Sequence, residues 1–269
     1  MDSGRLNSFL RIAEELLQKE QLEPVVRPLD PLEVPHKLPL ELKNEGMSAV
    51  EWEAALRSIV MHTPRTASKR FFNQLFGGRN EWATVGELLS VLLNNSMYTY
   101  KVAGPMVHIE KETIAQLCAL TGYEDQKSGG TFAPGGSISN LMALLMARDK
   151  AAPQCRQEGG QEPLVMYSSS ESHYSILKNA SFAGIGKKRV RLIPVNERGE
   201  MDTRALKSSI QEDKKAGFHP FLINATAGTT VLGAFDDLKA CAKIAQDEGL
   251  WLHVDGAYCG PVLFSDTYK

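Results

Sequence analysis

Leu250-Trp251-Leu252-His253-Val254-Asp255-Gly256-Ala257 is the stretch on which the fold of this chain turns. A buried-looking apolar run ends in one acid, and two very small residues follow it at once. A parallel strand delivers a carboxylate to the carboxyl end of a sheet in this way, and open α/β folds bind ligands at that end. Gly256 and Ala257 leave room for something flat and large beside Asp255. Such a carboxylate can be a metal ligand, a structural cap or the partner of a ring nitrogen. His253 lies two residues back on the same strand face, but no third ligand stands near in sequence, so no metal is expected.

Upstream of this strand the pattern alternates. Helix 139–149 precedes strand 164–168, helix 173–183 precedes strand 188–195, helix 203–216 precedes strand 220–225, and helix 237–248 leads to strand 250–255. That rhythm predicts an α/β domain: a mainly parallel sheet with helices on both faces. The polar stretch 150–163 reads as a surface loop. Nearer the start, Leu6, Phe9, Leu10, Ala13, Leu16 and Leu17 fall on one face of an amphipathic helix over 5–19. Pro24, Pro28, Pro31, Pro35 and Pro39 exclude a regular helix over 24–39 and predict an extended connector. Helical patterns return at 47–60, 82–95 and 105–121, with Pro105 suited to a first turn.

With 269 residues the chain can bury a sizeable core. A formal net charge of −2 creates no basic field, which argues against nucleic acid and anionic membrane as partners. No apolar run is long enough to span a bilayer, and no signal peptide is expected at the start. Cys118, Cys155, Cys241 and Cys259 are scattered without ligand spacing, as reduced thiols of a cytoplasmic protein are.

Three further segments carry chemistry. Ala133-Pro134-Gly135-Gly136-Ser137-Ile138-Ser139-Asn140 runs straight into a helix. Its glycines permit close backbone approach, and its hydroxyls and helix N–H groups suit one phosphate; a turn with a capping serine is the plain alternative. Ser172-His173-Tyr174-Ser175 follows a strand and opens a helix, where His173 can stay neutral or act as a cap. Ala225-Thr226-Ala227-Gly228-Thr229-Thr230 closes another strand, and Phe235-Asp236 beyond it reads as an Asp cap.

Taken together, these segments resemble the pyridoxal-phosphate-dependent group II amino acid decarboxylases. The likeness is to the branch acting on acidic amino acids, glutamate and cysteine sulfinate decarboxylases among them. It extends over roughly 60–269. Arg70-Phe71-Phe72-Asn73-Gln74-Leu75, Tyr98-Thr99-Tyr100, Pro134 to Asn140, Ser172 to Ser175, Gly228 to Asp236 and His253-Val254-Asp255 carry it.

The resemblance implies a fold of the aspartate-aminotransferase type. Residues 1–82 form a helical arm with the Pro-rich connector, and 83–269 form part of the cofactor-binding large domain. It implies pyridoxal 5'-phosphate as cofactor, α-decarboxylation of glutamate, cysteine sulfinate or aspartate, and a homodimer. Asp255 would pair with the pyridine nitrogen, His173 would stack on the ring, and Ala257 would pack on the other face. Gly136, Ser137, Ser139 and the Ile138 backbone would hold the phosphate. Thr230 would lie near the ring substituents. Phe72, Asn73 and Gln74 would line the substrate pocket.

The chain departs from the family pattern in places. Pro64-Arg65 is separated from Arg70-Phe71 by Thr66-Ala67-Ser68-Lys69, and Gly256 stands where Ala is usual. The lysine that carries the cofactor is expected in a Pro-His-Lys segment about thirty residues beyond Asp255, and no lysine of this chain is expected in that context. The chain alone is therefore expected to be inactive. A non-catalytic fragment that pairs with a partner subunit, and another reaction of the same cofactor such as transamination, are the competing readings.

Overall fold

A computed structural model describes residues 3–38, 41, 44–124, 127–160 and 162–269; Met1, Asp2, Pro39 of the connector and Gln161 of the polar stretch lie outside the described residues. The chain divides into two compact units, 1–95 and 96–269.

The first unit is helical: α1 (Ser3–Leu22), α2 (Val34–Lys37), α3 (Ala49–His62) and α4 (Glu81–Leu93). α3 starts where a capping box forms, with the Ser48 hydroxyl accepting from the Glu51 N–H and the Glu51 carboxylate accepting from the Ser48 N–H. α1 and α3 are tied by polar side chains. Arg11 donates to Glu53 at 3.0 and 2.6 Å, and Arg57 pairs with Glu15. The connector is not wholly extended, because Pro35 sits in the first turn of α2, where its missing N–H costs nothing. Pro35-His36-Lys37 is a Pro-His-Lys tripeptide. It lies upstream of Asp255, however, and the Lys37 ammonium pairs with Glu33 at 2.6 Å.

The second unit opens with α5 (Tyr100–Ala103) and α6 (Met106–Leu120), followed by α7 (Gly136–Ala151), α8 (Cys155–Glu158), β1 (Leu164–Ser169) and α9 (Ser175–Phe182). Then come β2 (Val190–Ile193), α10 (Thr203–Lys215), β3 (His219–Thr226), α11 (Leu238–Glu248) and β4 (Trp251–Asp255). The four strands are parallel, in the order β2-β1-β3-β4. α7 and α9 cover one face, burying Leu144, Ile176 and Ala180 against Met166 and Leu222. α10 and α11 cover the other, burying Leu206, Ile210 and Ile244 against Tyr167 and Ile223. All six residues of β1 are therefore buried, with no alternation.

Two expectations change. Residues 150–163 are not simply a surface loop, since Ala152 and Cys155 are buried and α8 forms there. The 250–254 run is less buried than its apolar residues suggest, because β4 is an outer strand of the four, and Val254 is exposed.

The strand order creates a topological switch point. The chain leaves β1 through α9 to reach β2, then crosses back through α10 to β3. The loops after β1 and β3 thus part company at neighbouring strand ends, the position at which such sheets bind ligands.

Candidate functional site

Four segments meet at the carboxyl ends of these strands. β4 delivers Asp255, which is buried, as is Thr226 opposite it on β3. Behind that pair runs a polar row across the sheet: Ser168 on β1, Asn224 on β3 and His253 on β4 are in register. The Asn224 amide donates to the Ser168 hydroxyl at 2.9 Å. Polar groups in a covered sheet face are costly unless paired. Two atoms of this face nonetheless have no hydrogen-bond partner, the Asn224 Oδ1 and the Thr226 Oγ1.

The first turn of α7 lies over Asp255. Its cap is Gly135, at φ 105°, a left-handed conformation that L side chains rarely adopt. Gly136 has a different reason to be bare: a Cβ there would meet the Ala257 Cβ at 3.2 Å. The capping serine weighed from sequence is thus not the cap. The Ile138 and Ser139 N–H groups both donate to the Gly135 carbonyl, at 3.0 and 3.2 Å. Asn179 on α9 donates to the Ser137 carbonyl at 2.8 Å, which pins the turn. The Ser137 and Ser139 side chains are exposed.

One helical turn further, Asn140 joins the pieces. Its Nδ2 donates to Asp255 Oδ2 at 2.8 Å, and its Oδ1 accepts from His253 Nε2 at 2.8 Å. The other Asp255 oxygen accepts from the Ala257 N–H at 3.1 Å. Sequence reading gave Asn140 no role. The signal was present, since Asn140, Leu144, Ala147 and Ala151 share one helix face and only the first is polar. His253 and Asp255 are bridged by this amide, and among the described residues no three His, Cys, Asp or Glu side chains gather to hold a metal. Burial lowers the His253 pKa below the ordinary imidazole value, with the Asp255 charge pulling the other way.

His173 leaves the loop after β1, just ahead of α9. Its Nδ1 accepts from the Ser175 N–H at 3.3 Å and lies 2.7 Å from the Ser175 Oγ. After β3 the chain turns at Gly228, where φ is 91° and a Cβ would collide with the Cys259 Sγ at 2.2 Å. That close approach locks the turn onto the segment beyond Asp255 and leaves Thr230 half-buried in the same turn. Asp236 is not a helix cap. It is buried and accepts from the Met201 and Thr226 N–H groups, both at 2.8 Å, while Asp237 caps α11. Burial raises the Asp236 pKa and these two N–H donors oppose the rise. Phe72, Asn73 and Gln74 belong to the first unit, on an exposed turn in which the Leu75 N–H donates to the Asn73 Oδ1 at 2.8 Å.

Residues 31–269 match the pyridoxal-dependent decarboxylase conserved domain. The chain belongs to the pyridoxal-dependent decarboxylase family. It is 43% identical over 242 residues to the cysteine sulfinic acid decarboxylase of Homo sapiens, covering 89% of this chain and 49% of that protein. It is 37% identical over 241 residues to the acidic amino acid decarboxylase GADL1 of Bos taurus, covering 89% and 46%. The crystal structure of mouse CSAD in apo form superposes with a TM-score of 0.95 at 40% identity, over 99% of this chain and 57% of that one. The chain thus spans about half the length of the curated relatives it matches.

The site fits the cofactor that the family name implies. Gly136 has no side chain where a phosphate would need backbone, Ala257 is small beside it, and the buried Asp255 carboxylate lies one α7 turn away.

Proposed function

We propose that residues 83–269 contribute to the pyridoxal-phosphate domain of a cytoplasmic, homodimeric decarboxylase for a small acidic amino acid, with 1–82 as its arm. The observation that carries this reading is the bare Gly136 turn packed on Ala257, within one helical turn of the buried Asp255.

When bound, the cofactor supplies a conjugated ring that takes up the electron pair left as the α-carboxylate departs. Asp255 contributes a fixed negative charge toward the ring nitrogen, held in place by Asn140 and the Ala257 N–H. A carboxylate there favours the protonated pyridine, whereas an amide supplies no charge. Ser137, Ser139 and the Ile138 backbone would hold the phosphate at the positive end of α7. His173 would stack on one ring face, Ala257 would pack against the other, and Thr230 would lie near the ring substituents. Asn73 and Gln74, beside Phe72, offer amides to the second acid group of the substrate.

The test uses two proteins, each with added cofactor. One is the 269-residue chain. The other joins residues 1–269 to the remaining carboxyl-terminal part of human cysteine sulfinic acid decarboxylase. Carbon dioxide release is measured from glutamate, aspartate, cysteine sulfinate, tyrosine and dopa. We expect the chimera to prefer an acidic substrate and the 269-residue chain to be silent. An aromatic substrate winning in the chimera overturns the substrate assignment. Turnover by the shorter chain, with one lysine modified after borohydride, would place the reactive lysine among residues 1–269.

A further inference from the structure

We propose that Asn140 and Ser175 form a positioning relay that places the ring proton on Nε2 in both His253 and His173. Asp255 sets the first constraint. An ionised carboxylate can only accept, so the Asn140 atom 2.8 Å from Asp255 Oδ2 has to be the amide nitrogen. A flipped amide would set two acceptors against each other in a buried site. The amide orientation is therefore determined by charge, and everything downstream follows from it.

With Nδ2 toward Asp255, Oδ1 faces His253 Nε2 at 2.8 Å. A carbonyl oxygen only accepts, so His253 must donate from Nε2. Burial keeps that ring neutral at ordinary pH, and a neutral ring carries one proton, so His253 Nδ1 is bare. The second amide hydrogen of Asn140 donates to Ser175 Oγ at 3.3 Å. That leaves the Ser175 hydroxyl hydrogen to donate to His173 Nδ1, 2.7 Å away. The Ser175 backbone N–H donates to the same nitrogen, so two donors of one residue converge on it. In the neutral ring the His173 proton must therefore sit on Nε2.

One buried amide thus couples the strand-end acid to a histidine in the loop ahead of α9. Asn140 and Ser175 are both buried, so solvent does not compete for these bonds. The functional consequence rests on the reading of this pocket as the cofactor site: His173 would present an N–H, not a lone pair, on the side away from Ser175. The tautomers themselves do not depend on that reading.

The experiment is long-range ¹H–¹⁵N correlation on the 269-residue chain with ¹⁵N-labelled histidine, at slightly alkaline pH and without cofactor. We expect the His253 and His173 rings each to show a protonated Nε2 and a bare Nδ1. Asn140→Leu removes the acceptor at His253, whose two ring nitrogens should move toward the averaged shifts of a tautomer mixture, while His173 stays on Nε2. Ser175→Ala should instead shift only the His173 Nδ1 signal toward that of a nitrogen with a weaker donor. A protonated Nδ1 on either ring in the unaltered chain overturns the relay. So does a folded Asn140→Leu chain whose His253 remains wholly on Nε2. Should Asn140→Leu fail to fold, the unaltered chain still decides the question. Failure of the cofactor to bind, with both tautomers as stated, would sink the proposed function and leave the relay intact.

Discussion

Gly136 and Ala257 show how a single missing atom shapes this site. A Cβ on Gly136 would press on the Ala257 Cβ at 3.2 Å, tighter than ordinary van der Waals contact. Gly136→Asp adds that contact and sets a negative charge where the phosphate is proposed to lie. Cofactor affinity should fall by roughly ten- to a hundredfold, the worth of one hydrogen bond to a charged group. Titration of the bound-cofactor absorbance reads this directly, and an unchanged curve would move the phosphate elsewhere. In the chimera, Asp255→Asn should keep the fold and cut turnover by orders of magnitude, because the hydrogen-bonding shape survives and the charge does not. Near-normal carbon dioxide release from that variant would end the ring-nitrogen assignment. Asp255 was legible in sequence because an acid after an apolar run is conspicuous. Asp236 was misread as a cap, because its two N–H donors come from residues ten and thirty-five positions away.

At the scale of elements, the alternating helices and strands were legible because the burial pattern repeats within each segment. α10 is the clearest: Leu206 and Ile210 lie one turn apart, both fully buried, amid charged residues. Leu206→Ala should therefore cost about 2–5 kcal/mol, read as a lower urea midpoint with an unchanged slope. A loss below about 1 kcal/mol would mean that α10 is not part of the cooperative core. Element boundaries were less legible. α7 begins at Gly136, ahead of its apolar run, because its first turn packs on the segment after β4. Strand β2 is shorter than its pattern suggested, since Lys187–Arg189 wind into a short 3-10 helix before it. No local periodicity marks that change.

Across the whole molecule, acidification should weaken the fold in two stages. Burial lowers the folded pKa of His253, so between its unfolded value near ~6.5 and that lower value the unfolded chain binds more protons. Its contribution is complete above the unfolded pKa and fades as pH falls through the folded one. Glu15, held at about 2 by Arg57 and Lys19, behaves likewise below its ordinary value of 4.5. Urea midpoints measured against pH should thus decline first below neutrality and again in the carboxylate range. His253→Gln should flatten the first decline alone, and an unaltered profile would refute the assignment. The fold class was determined by the sequence itself, because apolar periodicity and small residues at strand ends are properties of neighbours along the chain. The family was legible for the same reason, since its motifs are short and contiguous. Only the tertiary structure decided that Asn140 is the hub. It bonds Ser175, His253 and Asp255, which lie 35, 113 and 115 residues away. Linear spacing carries no record of such partners; they meet because α7 and α9 pack on the same face of the sheet beside β4. The unpaired Asn224 and Thr226 oxygens belong to that class too, because a polar atom becomes costly only once packing has removed its water.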